Sequence, residues 1–253
     1  MMSGDKPATL SKVPEVTLVF WIIKILATTL GETGGDTLSM SMHLGYLVST
    51  AIFAAIFFVA VAVQITARKF HPVIYWTTIV ATTTVGTTLA DFADRSLGIG
   101  YAGGTTILLA LLAASLIIWY HALGSVAVET VSSTKSEIFY WVTIMFSQTL
   151  GTALGDWTAD TAGIGYNGGA LLFGAMLAVL AAAYYLTSLS HTALFWSAFI
   201  LTRPLGAVVG DFLDKPVSQR GLALSRYSAS ATLLVLIVLC IFLFPHRAAE
   251  RGH

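Results

Sequence analysis

Long apolar stretches separated by short polar connections make up almost the whole chain. A helix needs about 20 mostly apolar residues to cross a bilayer, and the pattern predicts eight such helices. They cover residues 15–37, 43–66, 72–92, 102–123, 137–158, 167–188, 192–213 and 225–245. Because the connections leave little chain for other domains, the pattern predicts an all-α integral membrane protein.

Four of the predicted helices carry the same motif, which aligns without a gap. Each copy begins with an aromatic residue and Trp, and Asp stands fifteen residues after the Trp. The copies begin FWII at Phe20, YWTT at Tyr75, YWVT at Tyr140 and FWSA at Phe195. A plainer apolar helix follows each motif helix. Because every repeat then contains two spans, the motif helices all cross the membrane in one direction, as parallel repeats.

The repeats set the expected domain boundaries. A polar N-terminal segment, residues 1–13, precedes a single membrane domain, residues 14–246. The domain consists of repeats 14–70, 71–126, 136–190 and 191–246, with a polar linker at 127–135. The sequence GIGYxGG, at Gly98 and again at Gly163, predicts a tight turn before the next helix.

Composition narrows the function classes. Charged residues make up 10% of the chain, against about 25% in soluble domains, and the mean hydropathy is +0.81. Thirteen basic and thirteen acidic residues give no net charge, which argues against a nucleic-acid partner. The single cysteine, Cys240, excludes an intramolecular disulfide and a thiolate metal cluster. Without HExxH, GxSxG or P-loop sequences, we expect neither an enzyme nor a cofactor.

Basic residues predict the orientation, because they concentrate on the cytoplasmic side of membrane proteins. With the N-terminus inside, seven lie inside and four outside. The inner set is Lys6, Lys12, Arg68, Lys69, Lys135, Arg247 and Arg251, and the outer set is Arg95, Lys215, Arg220 and Arg226. Both termini are therefore expected in the cytoplasm.

One face of each motif helix is polar, and lipid cannot satisfy such groups. The face contains the positions three, seven, eleven and fifteen residues after the Trp. Position fifteen is Asp in every copy, and position eleven of the first copy is Glu: Asp36, Asp91, Asp156, Asp211 and Glu32. One interpretation is a carboxylate ring that binds a cation, with Glu32 as a deeper ligand or proton carrier. The alternative is that the aspartates cap helix ends by hydrogen bonds to the backbone.

Two basic residues interrupt this face. Lys24 stands where the other copies have Ile79, Ile144 and Phe199, and Arg203 stands where they have Thr28, Thr83 and Gln148. Because an unpaired charge at mid-membrane is costly, Arg203 is expected to pair with Glu32. The alternative is that Arg203 and Lys24 bind an anionic substrate.

Small residues and tryptophans complete the motif. A ridge of small residues lets helix backbones approach closely and consists of Gly31, Gly35, Gly86, Gly151, Gly155, Gly206 and Gly210. It predicts a tight bundle of motif helices with the plainer helices outside. Trp21, Trp76, Trp141 and Trp196 are expected to form an interfacial aromatic belt.

The fourfold aromatic-Trp and Gly–Asp pattern resembles a bacterial family of uncharacterised membrane-anchored proteins built from four copies of a repeat of unknown function. The resemblance covers residues 14–246. It implies a protein of the bacterial inner membrane, and it supplies no activity.

The residues favour a transporter or channel-like permease for a small cation, in contact with the lipid bilayer. Crowded carboxylates share protons as a coupled set, so the pattern is compatible with proton coupling. Two alternatives stay open, namely a carrier of small organic anions centred on Arg203 and Lys24, and a scaffold or sensor that transports nothing. The pattern identifies neither the ion, nor a bound metal, nor the oligomeric state.

Overall fold

The computed structural model describes residues 11–250, which form eight α-helices. They are α1 (Leu18–Asp36), α2 (Gly45–Thr66), α3 (Pro72–Asp91), α4 (Tyr101–Leu123), α5 (Thr134–Asp156), α6 (Gly165–Leu186), α7 (His191–Asp214) and α8 (Arg226–Leu243). Each lies within a few residues of a predicted stretch. Helices α1, α3, α5 and α7 carry the motif and are called the motif helices; α2, α4, α6 and α8 are called the outer helices.

Local sequence explains where the helices begin and turn. The side chain of Thr17 caps α1, and Ser133 forms a capping box with Ser136, so α5 begins earlier than the apolar pattern predicts. Five-residue π-helical segments extend α1, α3 and α5. Tight turns follow, in which Gly100 and Gly163 adopt φ values of 74° and 72°. Glycine tolerates this left-handed region, so the turns predicted from GIGYxGG are present.

The four motif helices form a closed ring. Helix α1 packs against α3, α3 against α5, α5 against α7, and α7 against α1. Each outer helix packs mainly on the motif helix of the following repeat: α2 on α3, α4 on α5, and α6 on α7, while α8 closes the circle on α1. Each repeat therefore packs on the next one through its outer helix.

Glycines set the close spacing of this ring. A Cβ atom at Gly35 would lie 3.0 Å from Thr87 of α3, and one at Gly86 would lie 3.0 Å from the backbone of Gln148 in α5. Further round the ring, Gly155 faces Ala207 and Gly210 faces Glu32 in the same manner. Gly31, Gly151 and Gly206 likewise face Thr83, Arg203 and Thr28. Gly31 faces Thr83, and four residues later Gly35 faces Thr87. Residue numbers therefore increase in the same direction along both helices of a pair, so the motif helices are parallel.

Apolar surface distinguishes the two helix sets. Six helices in the described residues are long and apolar enough to cross a membrane, and α3 and α5 are the two that are not among them. In the apolar windows of α2, α4 and α8 only 17% of residues are buried, against 61% for α1 and α7. The outer helices thus present a broad apolar surface, as expected of a multi-pass membrane protein.

Residues 11–13, the described part of the N-terminal segment, lie at the end of the ring where the tryptophans lie, here called the tryptophan end. Of the predicted segment 1–13, residues 1–10 lie outside the described residues, and so do Lys6 and Arg251 of the predicted inner set. The Ser11 hydroxyl donates to the Val128 carbonyl oxygen at 2.7 Å. Lys12 Nζ lies 2.7 Å from Glu137, whose side chain is 1% exposed. The predicted polar linker 127–135 is therefore partly buried beneath this segment.

Loss of the Lys12–Glu137 pair is expected to loosen the tryptophan end. Lys12→Met leaves a buried carboxylate without its cationic partner, a loss of about 2 kcal/mol. The measurement is thermal unfolding of the detergent-purified protein. The double variant Lys12→Met/Glu137→Gln should recover most of the loss, and Lys135→Met, at an exposed position, should have no effect. A double variant as unstable as Lys12→Met would contradict the pairing.

Candidate functional site

The interior of the ring is a stack of four layers, here called the axial column. Equivalent positions of the motif helices face each other, so each layer takes one residue from each repeat. The layers are Lys24, Ile79, Ile144 and Phe199; Thr28, Thr83, Gln148 and Arg203; Glu32, Thr87, Thr152 and Ala207; and Asp36, Asp91, Asp156 and Asp211. None of these residues is more than 3% exposed. The polar face predicted from the spacing is therefore turned inward.

Arg203 occupies the centre of the axial column. Its Nη2 atom donates to Glu32 Oε2 at 3.0 Å and to the Thr87 hydroxyl at 2.6 Å. It also donates to the Thr152 hydroxyl. One guanidinium nitrogen thereby contacts the other three motif helices. Pro204, the next residue, lies inside α7 without ending the helix.

Several polar groups in the same layers have no hydrogen-bond partner among the described residues. They are Lys24 Nζ, Thr83 Oγ1, both side-chain amide atoms of Gln148, and Nε and Nη1 of Arg203. The Lys24 ammonium lies 4.1 Å from the centre of the Phe199 ring, a cation–π contact. Buried polar groups of this kind normally bind water or a solute, so the centre of the axial column is suited to small polar species.

The four aspartates at the other end of the ring, the aspartate end, are joined in pairs by basic side chains. Arg95 lies 3.1 Å from Asp91 and 2.9 Å from Asp156. Lys215 lies 2.8 Å from Asp36 and 3.0 Å from Asp211. Each cation thus joins the aspartate of its own repeat to that of the next repeat. The partners are side chains, so helix capping does not explain these carboxylates.

A further ion pair, between Arg226 and Asp214, lies beside the paired aspartates. Arg226 Nε donates to Asp214 at 2.8 Å, and its Nη2 atom lies 3.5 Å from Asp36. Arg95 also donates to the hydroxyls of Tyr46 and Tyr101, each at 3.1 Å. Arg95, Lys215 and Arg226 belong to the predicted outer set, and all three lie at the aspartate end, where their side chains contact the carboxylates.

The pairing of these cations with the aspartates was not predicted, although the spacing of Arg95 and Lys215 in the sequence carries a signal for it. Arg95 and Lys215 both stand nineteen residues after the Trp of their repeats, where the first and third repeats have Met40 and Asp160. Repeats two and four therefore supply cations at equivalent positions, and repeats one and three do not. The aspartate end has an approximate twofold symmetry, which the fourfold motif conceals.

Carboxylates converge where the layer that contains Glu32 meets the layer of the four aspartates. Oxygen atoms of Glu32, Asp156 and Asp211 lie within 4.8 Å of one another, and all three residues are buried. Asp36, Asp211 and Asp214 form a second group by the same criterion. Asp211 belongs to both groups. Carboxylate oxygens are the ligands that hard cations prefer, so this geometry is suited to a small cation.

Aromatic side chains close the tryptophan end. Trp76, Trp141 and Trp196 are buried, at 1%, 2% and 5% exposure. The hydroxyls of Tyr75 and Tyr140 lie 2.6 Å apart inside the same cluster. The expected interfacial belt is therefore wrong for these three tryptophans, because they pack against other buried aromatic side chains rather than facing outward.

A protein-family model described as "Repeat of Unknown Function (DUF347)" matches four stretches, residues 19–70, 74–124, 139–190 and 194–247. Each stretch contains most of one motif helix and the whole outer helix that follows it. The resemblance stated from the fourfold motif is thereby confirmed. No curated protein and no solved structure matches the chain.

Proposed function

Because the family to which the chain belongs is that of a repeat of unknown function and supplies no activity, we propose a function from the site itself, namely that the protein carries a small cation across a membrane. The observation that carries this proposal is the convergence of Glu32, Asp156 and Asp211, three buried residues whose oxygens lie within 4.8 Å of one another. The cation is the transported substrate, and no chemical reaction is assigned to the site.

The proposal includes eight membrane-spanning helices. Helices α3 and α5 lie between α1 and α7 in the ring and run parallel to them, so they cross wherever α1 and α7 cross. Arg68, Lys69 and Lys135 lie at the tryptophan end, and Arg220 is the exposed basic residue in the α7–α8 connection. This asymmetry supports both termini on the cytoplasmic side. The proposed location is the bacterial inner membrane.

Charge balance in the axial column favours a cation. Six carboxylates, Glu32, the four aspartates of the column and Asp214, contact four cationic side chains, Arg203, Arg95, Lys215 and Arg226. Lys24 is a fifth basic side chain in the column, and its ammonium nitrogen has no hydrogen-bond partner among the described residues. Buried charges are costly unless they are compensated. A bound cation or protons can compensate the remaining negative charge. Proton-coupled cation exchange is therefore the form of transport that this balance supports.

Water at the unpartnered groups of Thr83, Gln148 and Arg203 would continue the polar path from the carboxylates to the centre. Beyond that point Ile79, Ile144 and Phe199 narrow it, and the aromatic cluster covers the tryptophan end. Access would thus lie at the aspartate end, with the apolar layers as the barrier that must move during transport.

The organic-anion carrier has weaker support. Arg203 is bonded to Glu32 at 3.0 Å, and the acidic layer beside it would repel an anion. That leaves Lys24, whose ammonium nitrogen has no hydrogen-bond partner within residues 11–250, as the basic group for an anion. A scaffold or sensor needs the glycine contacts but not a buried stack of ionisable layers, which costs stability without contributing to packing.

The test is cation binding by the purified protein and its Asp156→Asn variant. We expect thermal stabilisation by one or more of Na⁺, K⁺, Mg²⁺, Ca²⁺ and Mn²⁺, reaching about 2.7 kcal/mol at a hundredfold excess over the Kd. Asp156→Asn should lose this response, whereas Asp160→Asn, at an exposed position, should keep it. Uptake of the same ion into proteoliposomes, with an internal pH dye, should follow the same order. Equal responses of Asp156→Asn and the natural sequence to every cation would contradict the proposal.

A further inference from the structure

Lys215 occupies a position where a free cation would bind. It is the first residue after α7, and its ammonium nitrogen lies 2.8 Å from Asp36 and 3.0 Å from Asp211. The contact with Asp36 is a charge-assisted hydrogen bond, and the contact with Asp211 is an ion pair. An ammonium group is a compact point charge, so its position marks a place where these carboxylates accept a monovalent cation.

The surrounding carboxylates have unused ligand capacity. Asp36, Asp211 and Asp214 have oxygens within 4.8 Å of one another. Asp36 Oδ1 is buried and has no hydrogen-bond partner among the described residues. Asp36 is on α1 and Asp211 on α7, so the site spans two neighbouring motif helices beside the group of Glu32, Asp156 and Asp211.

The Lys215 ammonium group is buried between Asp36 and Asp211. The side chain is attached at the start of the connection Lys215–Ser225, whose exposed residues Pro216–Arg220 lie outside the ring. Arg95, its counterpart, is held additionally by Tyr46 and Tyr101, so Lys215 is the less constrained of the two.

We propose that Asp36 and Asp211 form a second cation site, that the Lys215 ammonium occupies this site as a tethered competitor, and that the transported cation enters when Lys215 leaves. The inference rests on the proposed function for the identity of the competing ion. The site itself does not depend on the proposed function, because in this structure Asp36 and Asp211 already bind the ammonium group of Lys215.

The test uses the full chain in detergent with methylammonium, a soluble analogue of the lysine ammonium group. Lys215→Ala should be stabilised by millimolar methylammonium, seen as a rise in Tm, whereas the natural sequence should not respond. Tetramethylammonium, which cannot donate hydrogen bonds, should stabilise neither. Asp36→Asn/Lys215→Ala, which lacks one of the two carboxylates, should lose the response, and Arg220→Gln, in the same connection, should behave like the natural sequence.

Metal cations give a second measurement. The expected result is tighter cation binding in Lys215→Ala, whereas a variant that merely disturbs the structure would bind cations more weakly. Any cation that stabilises the natural sequence should do so in Lys215→Ala at a tenfold lower concentration or less. If that variant does not fold, Lys215→Gln, which keeps most of the stem, is measured in its place and should show the same gain. Absence of a methylammonium response together with unchanged cation affinity would overturn the inference.

The two proposals fail in different ways. If the natural sequence and Asp156→Asn respond alike to all metal cations, cation transport at the Glu32 group is wrong. A methylammonium response in Lys215→Ala would still establish the second site. Conversely, cation binding that depends on Asp156 but is unaffected by Lys215→Ala would retain the transport proposal and remove the competitor.

Discussion

Replacing Arg203 with methionine is expected to lower the Tm by about 10 °C. The substitution removes the donor to Glu32, Thr87 and Thr152. Breaking a buried ion pair by removing one partner costs about 3–5 kcal/mol, and for a protein of this size each kcal/mol corresponds to about 2–4 °C. The loss is large because Glu32 is 3% exposed and cannot turn to solvent.

The control is the double variant Arg203→Met/Glu32→Gln, which removes both charges. It should be considerably more stable than Arg203→Met, because no uncompensated carboxylate remains. Thermal unfolding and a chemical denaturation series measure both variants. A Tm for Arg203→Met equal to that of the natural sequence would mean that this ion pair does not hold the axial column together.

The same variants separate the transport hypotheses. An organic-anion carrier should lose uptake in Arg203→Gln and keep it in Asp156→Asn. A cation carrier should be most affected by Asp156→Asn. A scaffold should retain its activity when Asp36, Asp91, Asp156 and Asp211 are all changed to Asn.

Gly206→Ala is expected to open the ring between α7 and α1. A Cβ atom at Gly206 would lie 2.6 Å from the Thr28 Cβ and 2.8 Å from its carbonyl carbon. Because a backbone atom cannot move aside as a side chain can, the two helices must separate. Overpacking of this kind costs about 1–3 kcal/mol. The Thr28 hydroxyl, 3.2 Å from the carbonyl oxygen of Thr202, would lose that contact as well.

Gly174→Ala supplies the matched control on an outer helix. No atom lies within 4 Å of the Cβ position at Gly174. Alanine is favoured over glycine inside a helix by about 1 kcal/mol, so this variant should unfold at the same temperature or slightly higher. Should Gly206→Ala be as stable as Gly174→Ala, the close approach of α7 and α1 at this glycine would not be required.

Helix boundaries and the polar face followed from local pattern. Apolar stretches located all eight helices, and differences at their ends came from caps such as Ser133. Helical periodicity placed Glu32 and the position-fifteen aspartates on one face, since side chains four residues apart are neighbours on any α-helix.

The burial of the tryptophans could not be predicted from local pattern. An aromatic side chain near a helix end is equally consistent with a lipid interface and with a buried plug. Trp76 is buried because Tyr75, Phe20 and their neighbours fill the tryptophan end of the ring. That packing depends on which motif helices are adjacent, and a single helix carries no information about its neighbours.

By itself, the sequence determined an all-helical chain of four repeats, the apolar outer surface and the inward polar face, because each follows from periodicity or composition within one segment. Only the tertiary structure decided that the outer helices brace the following repeat, that Arg203 contacts three helices, and that Arg95 and Lys215 join the aspartates in pairs. Arg95 pairs with Asp156 across 61 residues and Lys215 with Asp36 across 179. Contacts between residues so distant in the chain arise from the closure of the ring, which brings the first and last repeats side by side.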